Sequence, residues 1–273
     1  MIVVRTVADY RKIYPGGSIG FVPTMGALHE GHLSLIRESK GENQTTVLSV
    51  FVNPTQFGPN EDLTKYPRPF EKDVELAIQE GVDILFAPQP EEMYPEDPTS
   101  VHVPGVSEYF DGVSRPGHFD GVATVVAKLF NIIRPTHAYF GQKDLQQCAV
   151  VRKLIDDLNF DIQLKICQIC RENSGLAMSS RNEYLSTTEK LVAPVLYSTL
   201  LGGKRRLLDG EPFGSVQQSA LAELKESGFE PEYFELVNRF RMSPISVIDD
   251  NSSLIVAAKL GATRLIDNLT VTG

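Results

Sequence analysis

The stretch Pro23-Thr24-Met25-Gly26-Ala27-Leu28-His29-Glu30-Gly31-His32 decides how this chain is read. A short apolar run, Ile19-Gly20-Phe21-Val22, precedes it and has the character of a buried strand. Leu33 and Ile36 follow at helical spacing. The stretch therefore occupies a strand-to-helix turn. An open α/β sheet binds its ligands at such turns, outside the carboxyl ends of its strands. A helix start also offers unpaired N–H groups and a positive dipole end to a phosphate. Gly26 lets the backbone approach an anion closely. His29 and His32 are three apart and share one helix face. Two imidazoles can then lean over one phosphate chain and stabilise charge that builds up at phosphorus. A helix start with two solvated histidines carries the same letters, so the rest of the chain has to decide.

Composition narrows the field. The chain has 273 residues, 42% hydrophobic content and a net charge of −9. That length supports one large domain or two smaller ones, each able to bury a core. Nucleic-acid binding leans on clustered Lys and Arg, and the one short cluster, Lys204-Arg205-Arg206, reads as a solvated helix face. An acidic protein that binds anionic substrates must do so with local groups. No run is apolar and long enough to span a bilayer, and Met1-Ile2-Val3-Val4-Arg5 lacks a signal-peptide layout. The expected location is cytoplasmic, with neither nucleic acid nor membrane as a partner. The cysteines are Cys148, Cys167 and Cys170. The C-x-x-C spacing lies in a strand-like run, where residues i and i+3 face opposite sides, so it suits neither zinc nor a redox turn.

Strand-like runs at Ile19–Val22, Val47–Val52, Ile84–Ala87, Ala138–Phe140 and Ile162–Ile169 alternate with helical patterns. Phe70, Val74, Ala77 and Ile78 form one apolar stripe, and Val122, Val125, Val126, Leu129, Phe130 and Ile133 another. Leu145, Cys148, Leu154, Ile155 and Leu158 form a looser one. This alternation predicts an α/β fold, a Rossmann-like parallel sheet with helices on both faces. After about residue 175 the pattern changes. Ser186-Thr187-Thr188-Glu189 is a capping box opening a helix towards Leu208, with an interruption at Pro194. A second helix near 216–227 and strands at Tyr233–Val237, Leu254–Leu260 and Thr263–Val271 follow. The expected organisation is a nucleotide-binding domain, 1–174, and a smaller C-terminal α+β domain, 175–273, joined near Asn173-Ser174-Gly175.

Further motifs fall at the ends of these strands. Asn53-Pro54-Thr55-Gln56-Phe57 follows the second run, and the Gln56 amide both donates and accepts, which suits hydroxyl and carboxylate groups. Gly141-Gln142-Lys143-Asp144 sits at another strand-to-helix turn. There Lys143 can neutralise phosphate, and Asp144 can bind a ribose hydroxyl or cap the helix. Gln147 lies one turn beyond Lys143. Met178-Ser179-Ser180-Arg181-Asn182 lies by the expected junction, and its hydroxyls and guanidinium could close over a triphosphate; a polar linker is the plain alternative. In Arg115-Pro116-Gly117-His118-Phe119, Arg115 can reach a carboxylate or face solvent. His102 and His137 carry no partner pattern and read as structural.

His29-Glu30-Gly31-His32 resembles the nucleotide-binding signature of the nucleotidylyltransferase and class I aminoacyl-tRNA synthetase superfamily. In order along nearly the whole chain, Pro23–His32, Phe51–Phe57, Arg115–Phe119, Gly141–Gln147, Met178–Asn182 and Arg264-Leu265-Ile266-Asp267-Asn268 resemble the pantothenate synthetase, or pantoate-beta-alanine ligase, family. The resemblance implies a nucleotide-binding domain, a C-terminal lid, a homodimer and an ATP-dependent ligation of pantoate to beta-alanine through a pantoyl adenylate. By position, Met25, Gly26, Ala27, Leu28, His29, Glu30, Gly31 and His32 would line the ATP site, with His32 as proton donor and His29 assisting. Gly141, Gln142, Lys143 and Asp144 would bind the nucleoside and phosphates, Cys170 would contact adenine, and Met178, Ser179, Ser180 and Arg181 would reach the phosphates. Lys143 is counted with the histidines as catalytic. Gln56 and Gln147 would hold pantoate, Gln56 also beta-alanine. Mg2+ would ride on the triphosphate, with Asp73 as a nearby ligand or water partner.

Three positions depart from that family's pattern: Gln142 where Glu is frequent, Ser174 where Asp is common, and Cys170 in place of Val. None removes a phosphate-handling group. The rival readings are a nucleotidylyltransferase, a tRNA synthetase and a non-catalytic nucleotide-binding module. The first would not need Gln56 and Gln147 as a pair. The second would need lysines in the Met178 loop and a basic RNA surface. The third would fit a chain that had lost His32 or Lys143, and both are present.

Overall fold

The computed structural model describes residues 1–59 and 61–272. The chain divides into two compact units, 1–141 with 150–167, and 142–149 with 168–273. The sequence places a junction at 174/175; compactness places the later division at 167/168 and assigns 142–149 to the second unit.

The first part of the chain runs β1 (Ile2–Val4), α1 (Val7–Lys12), β2 (Ile19–Thr24), α2 (Glu30–Glu42), β3 (Thr45–Val50), α3 (Phe70–Gln79), β4 (Ile84–Phe86), α4 (Pro90–Met93), α5 (Asp111–Ser114), α6 (His118–Ile133), β5 (His137–Gly141), α7 (Leu145–Asp157) and β6 (Gln163–Cys167). Six strands form one sheet in the order β1-β4-β3-β2-β5-β6. All its pairings are parallel. β2 is buried along nearly its whole length, which is why its sequence reads as a continuous apolar run without alternation. Val22, Leu48 and Leu85 pack with Leu33 and Ile36 of α2 and Ala77 of α3. Phe21 meets the Phe130 ring of α6, with centroids 6.5 Å apart. Successive residues of β2 thus face opposite helical layers. The strand order reverses between β2 and β5, which makes the carboxyl ends of these two strands the topological switch point.

The second unit contains α8 (Thr187–Val192), α9 (Val195–Leu208), α10 (Phe213–Glu226), β7 (Glu230–Asn238), β8 (Ser252–Leu260) and β9 (Thr263–Thr270). The three strands form an antiparallel sheet in chain order. Leu196, Leu200 and Leu207 of α9 and Val216, Ala220 and Leu224 of α10 pack on Phe234, Leu236, Leu254 and Val256. The Ser186–Glu189 capping box forms at the start of α8, and Pro194 separates α8 from α9. Such a cap contributes about 1 kcal/mol.

Several expectations need correction. The first strand, β1, is three residues long and gives no periodic signal in the sequence. Ile78 is 56% exposed; eight residues after Phe70 the helix has turned about 80° off the buried face. Leu158 falls just past α7 and is 52% exposed. Cys167 is the last residue of β6 and Cys170 lies outside it, so strand alternation does not govern that pair. Cys148, Cys167 and Cys170 form no disulfide. Among the described residues no helix is long and apolar enough to cross a membrane.

Candidate active site

Residues 25–29 connect β2 to α2 through a tight loop. Gly26 and Ala27 both have positive φ, 81° and 51°. A Cβ on Gly26 would stand 2.8 Å from Asp73 Oδ2, so this position needs glycine for space as well as for conformation. Asp73, in the first turn of α3, is 1% exposed. Its carboxylate accepts from the N–H of Ala27 at 2.9 Å and of Leu28 at 2.7 Å. These bonds offset the cost of the left-handed Ala27, of order 1 kcal/mol. Burial raises the Asp73 pKa, and the Leu28 and Ala27 N–H groups oppose that rise. Both carboxylate oxygens are thus engaged by the loop. Among the described residues no group of three or more His, Cys, Asp or Glu side chains could hold a metal ion.

His29 is the N-cap of α2 and His32 its third residue. His29 Nδ1 accepts from Gly31 N–H at 3.2 Å, and His32 Nδ1 accepts from His29 N–H at 3.4 Å. The two rings lie 4.1 Å apart between centroids. This is a capping box built from imidazoles. With Nδ1 accepting, each neutral ring carries its proton on Nε2. Glu30 is exposed and pairs with Arg37.

After β3 the chain makes a 3₁₀ turn, Pro54–Gln56. Gln56 is 8% exposed. Its Oε1 accepts from Asn53 Nδ2 at 3.0 Å, and its Nε2 lies 3.2 Å from Met25 Sδ. Asn53 Nδ2 also donates to Gly121 O at 3.1 Å, and Asn53 Oδ1 accepts from Tyr94 at 2.6 Å and Thr55 Oγ1 at 2.9 Å. A Cβ on Gly121 would meet Thr55 O at 2.5 Å and Gln56 N at 2.6 Å; only glycine lets α6 come this close to the turn. His118, the first residue of α6, donates from Nδ1 to Gln56 O at 2.8 Å. Arg115 donates to His118 Nε2 at 2.9 Å and forms a fork with Glu61. Burial, then the Arg115 charge, push the His118 pKa down to about 4, against the Gln56 carbonyl, Asp111 and Glu61. Burial pushes Glu61 up, but Arg115 outweighs it and holds the carboxyl below its ordinary value.

In the second unit a 3₁₀ turn, Gln142–Asp144, leads into α7 and on to half-buried Gln147. Lys143 Nζ stands 4.0 Å from Asp144 Oδ1 and its side chain is 20% exposed. Asn268 Nδ2 donates to the carbonyls of both Gln142 and Lys143 at 2.9 Å. Gln142 Nε2 donates to Asn268 Oδ1 at 3.1 Å and Thr270 Oγ1 at 3.2 Å. Cys170 O accepts from Met178 N–H at 3.0 Å, and the two side chains meet, sulfur to sulfur, at 3.7 Å. Arg171 bridges to Ala177 through its backbone. Ser179 caps the next 3₁₀ turn, Ser180–Tyr184, accepting from Arg181 N–H at 3.3 Å. Ser174 is exposed, and its hydroxyl accepts from Leu176 N–H at 3.4 Å.

The residues expected at the site are thus gathered in two sets, one per unit. Met25 to His32, Gln56 and Asp73 lie in the first; Gln142 to Asp144, Gln147, Cys170 and Met178 to Arg181 lie in the second. Gly141 closes β5 in the first. The family model of pantoate-beta-alanine ligases matches residues 2–270. The chain belongs to the pantoate-beta-alanine ligase family. A pantothenate synthetase from Caldicellulosiruptor bescii is 51% identical, covering 99% of each chain. The structure of pantothenate synthetase from Thermus thermophilus is 45% identical and covers both chains fully, with a TM-score of 0.96. A pantoate-beta-alanine ligase from Francisella tularensis, complexed with beta-gamma ATP and beta-alanine, is 33% identical, covers 100% of this chain and 99% of its own, and has a TM-score of 0.84.

For this ligase, sequence reading missed the residues that hold the turns. Asn53 stands inside a quoted motif, and its place just before Pro54 is an N-cap signal. His118 and Asn268 also lie in quoted motifs, but nothing local tells which carbonyl they reach. Tyr94 carries no signal at all.

Proposed function

We propose that the chain joins (R)-pantoate to beta-alanine in two steps within this ATP-dependent ligase chemistry. The pantoate carboxylate attacks the α-phosphorus of ATP; the bond to the bridging oxygen breaks and pyrophosphate leaves, giving pantoyl adenylate. The beta-alanine amine then attacks the acyl carbon, loses a proton and expels AMP, giving pantothenate. A carboxylate is ionised at pH 7, so the first step needs alignment and charge stabilisation more than a base.

The observation that carries this reading is the imidazole capping box. Backbone N–H groups at the start of α2 fix both Nδ1 atoms, so the rings can offer Nε2–H donors to a triphosphate. We assign His32 as the proton donor and His29 and Lys143 as partners in charge stabilisation. Met25 to His32, Gly141 to Asp144, Cys170 and Met178 to Arg181 contact ATP in this reading. Gln56 and Gln147 bind pantoate, and Gln56 also beta-alanine. Magnesium enters with the triphosphate. Asp73 accepts from Ala27 and Leu28 N–H and so positions the loop, and its remaining lone pairs leave it as the nearby ligand or water partner of the cation in this reading. A cytoplasmic homodimer with 175–273 as a lid completes the proposal.

Pyrophosphate exchange tests the order. Pantoate and ATP alone should move labelled pyrophosphate into ATP, and His32→Ala should slow that exchange by roughly two to three orders of magnitude in a folded enzyme. A strict requirement for beta-alanine would contradict the order. Unchanged exchange in His32→Ala would leave His32 a helix cap only.

A further inference from the structure

The closing motif Arg264-Leu265-Ile266-Asp267-Asn268 has no role in the chemistry above. Its geometry gives it one. We propose that Asn268 is a positioning residue for ATP, acting by holding the Gln142–Lys143 turn from within the antiparallel sheet. This rests on the reading of that turn as a nucleotide-binding segment.

Asn268 lies on β9 and is 2% exposed. Its amide group faces two successive carbonyls, Gln142 O and Lys143 O, both at 2.9 Å. Successive carbonyls turned towards one point repel each other unless donors stand between them. A primary amide has two N–H groups on one nitrogen and meets both. The same side chain accepts from Gln142 Nε2 at 3.1 Å. Asn268 is therefore bound to Gln142 from both ends and to Lys143 at its backbone. The Lys143 side chain then leaves from a backbone whose direction is fixed.

The donor on Gln142 matters in this chain. It reaches Thr270 Oγ1 as well as Asn268 Oδ1, and those residues are two apart on one face of β9. A glutamate at 142 would set an acceptor against the acceptor of Asn268. The neighbouring Asp267 anchors the strand itself. It is 4% exposed and takes a two-pronged bond from Arg171, at 2.6 and 2.9 Å. The Arg171 guanidinium lies 3.6 Å over the Tyr197 ring and also donates to Gly175 O at 3.1 Å. Asn268 thus stands on a fixed support, which a positioning residue needs.

A double-variant cycle on the full-length enzyme tests the proposal, with pyrophosphate exchange measured against ATP concentration. Asn268→Ala should lower kcat/KM for ATP by about 10–100-fold, the range seen when an outer support of a functional residue is lost. In a Lys143→Ala background the same change should cost less than about threefold, because the group it positions is gone. Wild-type exchange in Asn268→Ala, or its full cost persisting without Lys143, would overturn the proposal. Wild-type exchange in Lys143→Ala would instead sink the nucleotide-site reading of the turn, and the proposal with it. Should Asn268→Ala fail to fold, Asn268→Ser, which keeps one donor, takes its place in the cycle. Failure of both to fold would make Asn268 a folding residue and also overturn the proposal.

Discussion

Two 3₁₀ turns in this ligase follow the carboxyl ends of parallel strands and carry residues assigned to substrates. They are built alike and braced differently. The Pro54–Gln56 turn has its last carbonyl held by His118, and the Gln142–Asp144 turn has its first two held by Asn268. The first brace is an imidazole whose Nδ1–H donates to the turn while its Nε2 accepts from Arg115, which is forked to Glu61. The second is an amide that does not titrate. Protonation keeps the Nδ1 donor of His118 but sets a second N–H against Arg115, so the first support is sensitive to acid through its Nε2 side and the second is not.

Acid is the strongest way to break that parallel. The folded His118 titrates at about 4 against an ordinary value of 6.5. The unfolded chain binds the proton first, so stability is lost as pH falls from 6.5 towards 4. The loss from this group is about 2 kcal/mol by pH 5 and roughly 3 kcal/mol in full. Glu61, held low by Arg115, adds a loss in the same direction at lower pH, while Asp73 and Asp267, raised by burial, work the other way. Urea melts of the enzyme and of His118→Gln across pH 6.5 to 5 isolate the contribution of His118. Parallel pH profiles for the two proteins would show that His118 is not the acid-sensitive brace.

The glutamines sharpen the comparison next. Gln56 and Gln147 should each contribute about 1–3 kcal/mol to pantoate binding, the cost of leaving buried polar groups unpaired. Gln147→Ala should weaken pantoate far more than ATP in titration calorimetry. Gln56→Ala should weaken pantoate and also slow capture of the amine. Equal losses of ATP and pantoate affinity would reopen the nucleotidylyltransferase reading. The smallest effect belongs to the outer support. Tyr94→Phe removes the donor to Asn53 Oδ1 but leaves Thr55 Oγ1 in place. A loss of about 0.5–1.5 kcal/mol in denaturant melts is expected, with pantoate affinity changed less than in Gln56→Ala. A larger loss of pantoate affinity in Tyr94→Phe would mean that Asn53 orients Gln56 through Tyr94 alone.

Much of the architecture is legible because its signals are local. The buried run at Ile19–Val22, the stripe from Val122 to Ile133 and the Ser186–Glu189 cap each announce an element from within a few residues. The errors arise where local signals fade. The edge strand Ile2–Val4 is three residues long, and Ile78 sits where a helix stripe drifts off its buried face. The candidate site divides along the same line. His29 and His32 sit on either side of one turn of α2, so their spacing alone brings their rings together.

The sequence by itself determined the alternation of strands and helices, the glycine at the β2–α2 loop and the chemical types offered to a nucleotide and an acid. These follow from periodicity and from the chemistry of single side chains, which need no partner to be read. Only the tertiary structure decided that Asp73 binds the Ala27 and Leu28 N–H groups, that His118 is held neutral against Gln56, and that Asn268 closes on a turn 125 residues earlier. Those outcomes depend on burial and on hydrogen bonds between distant segments. A buried donor or acceptor must find a partner, but its sequence neighbours do not say which one the fold will bring.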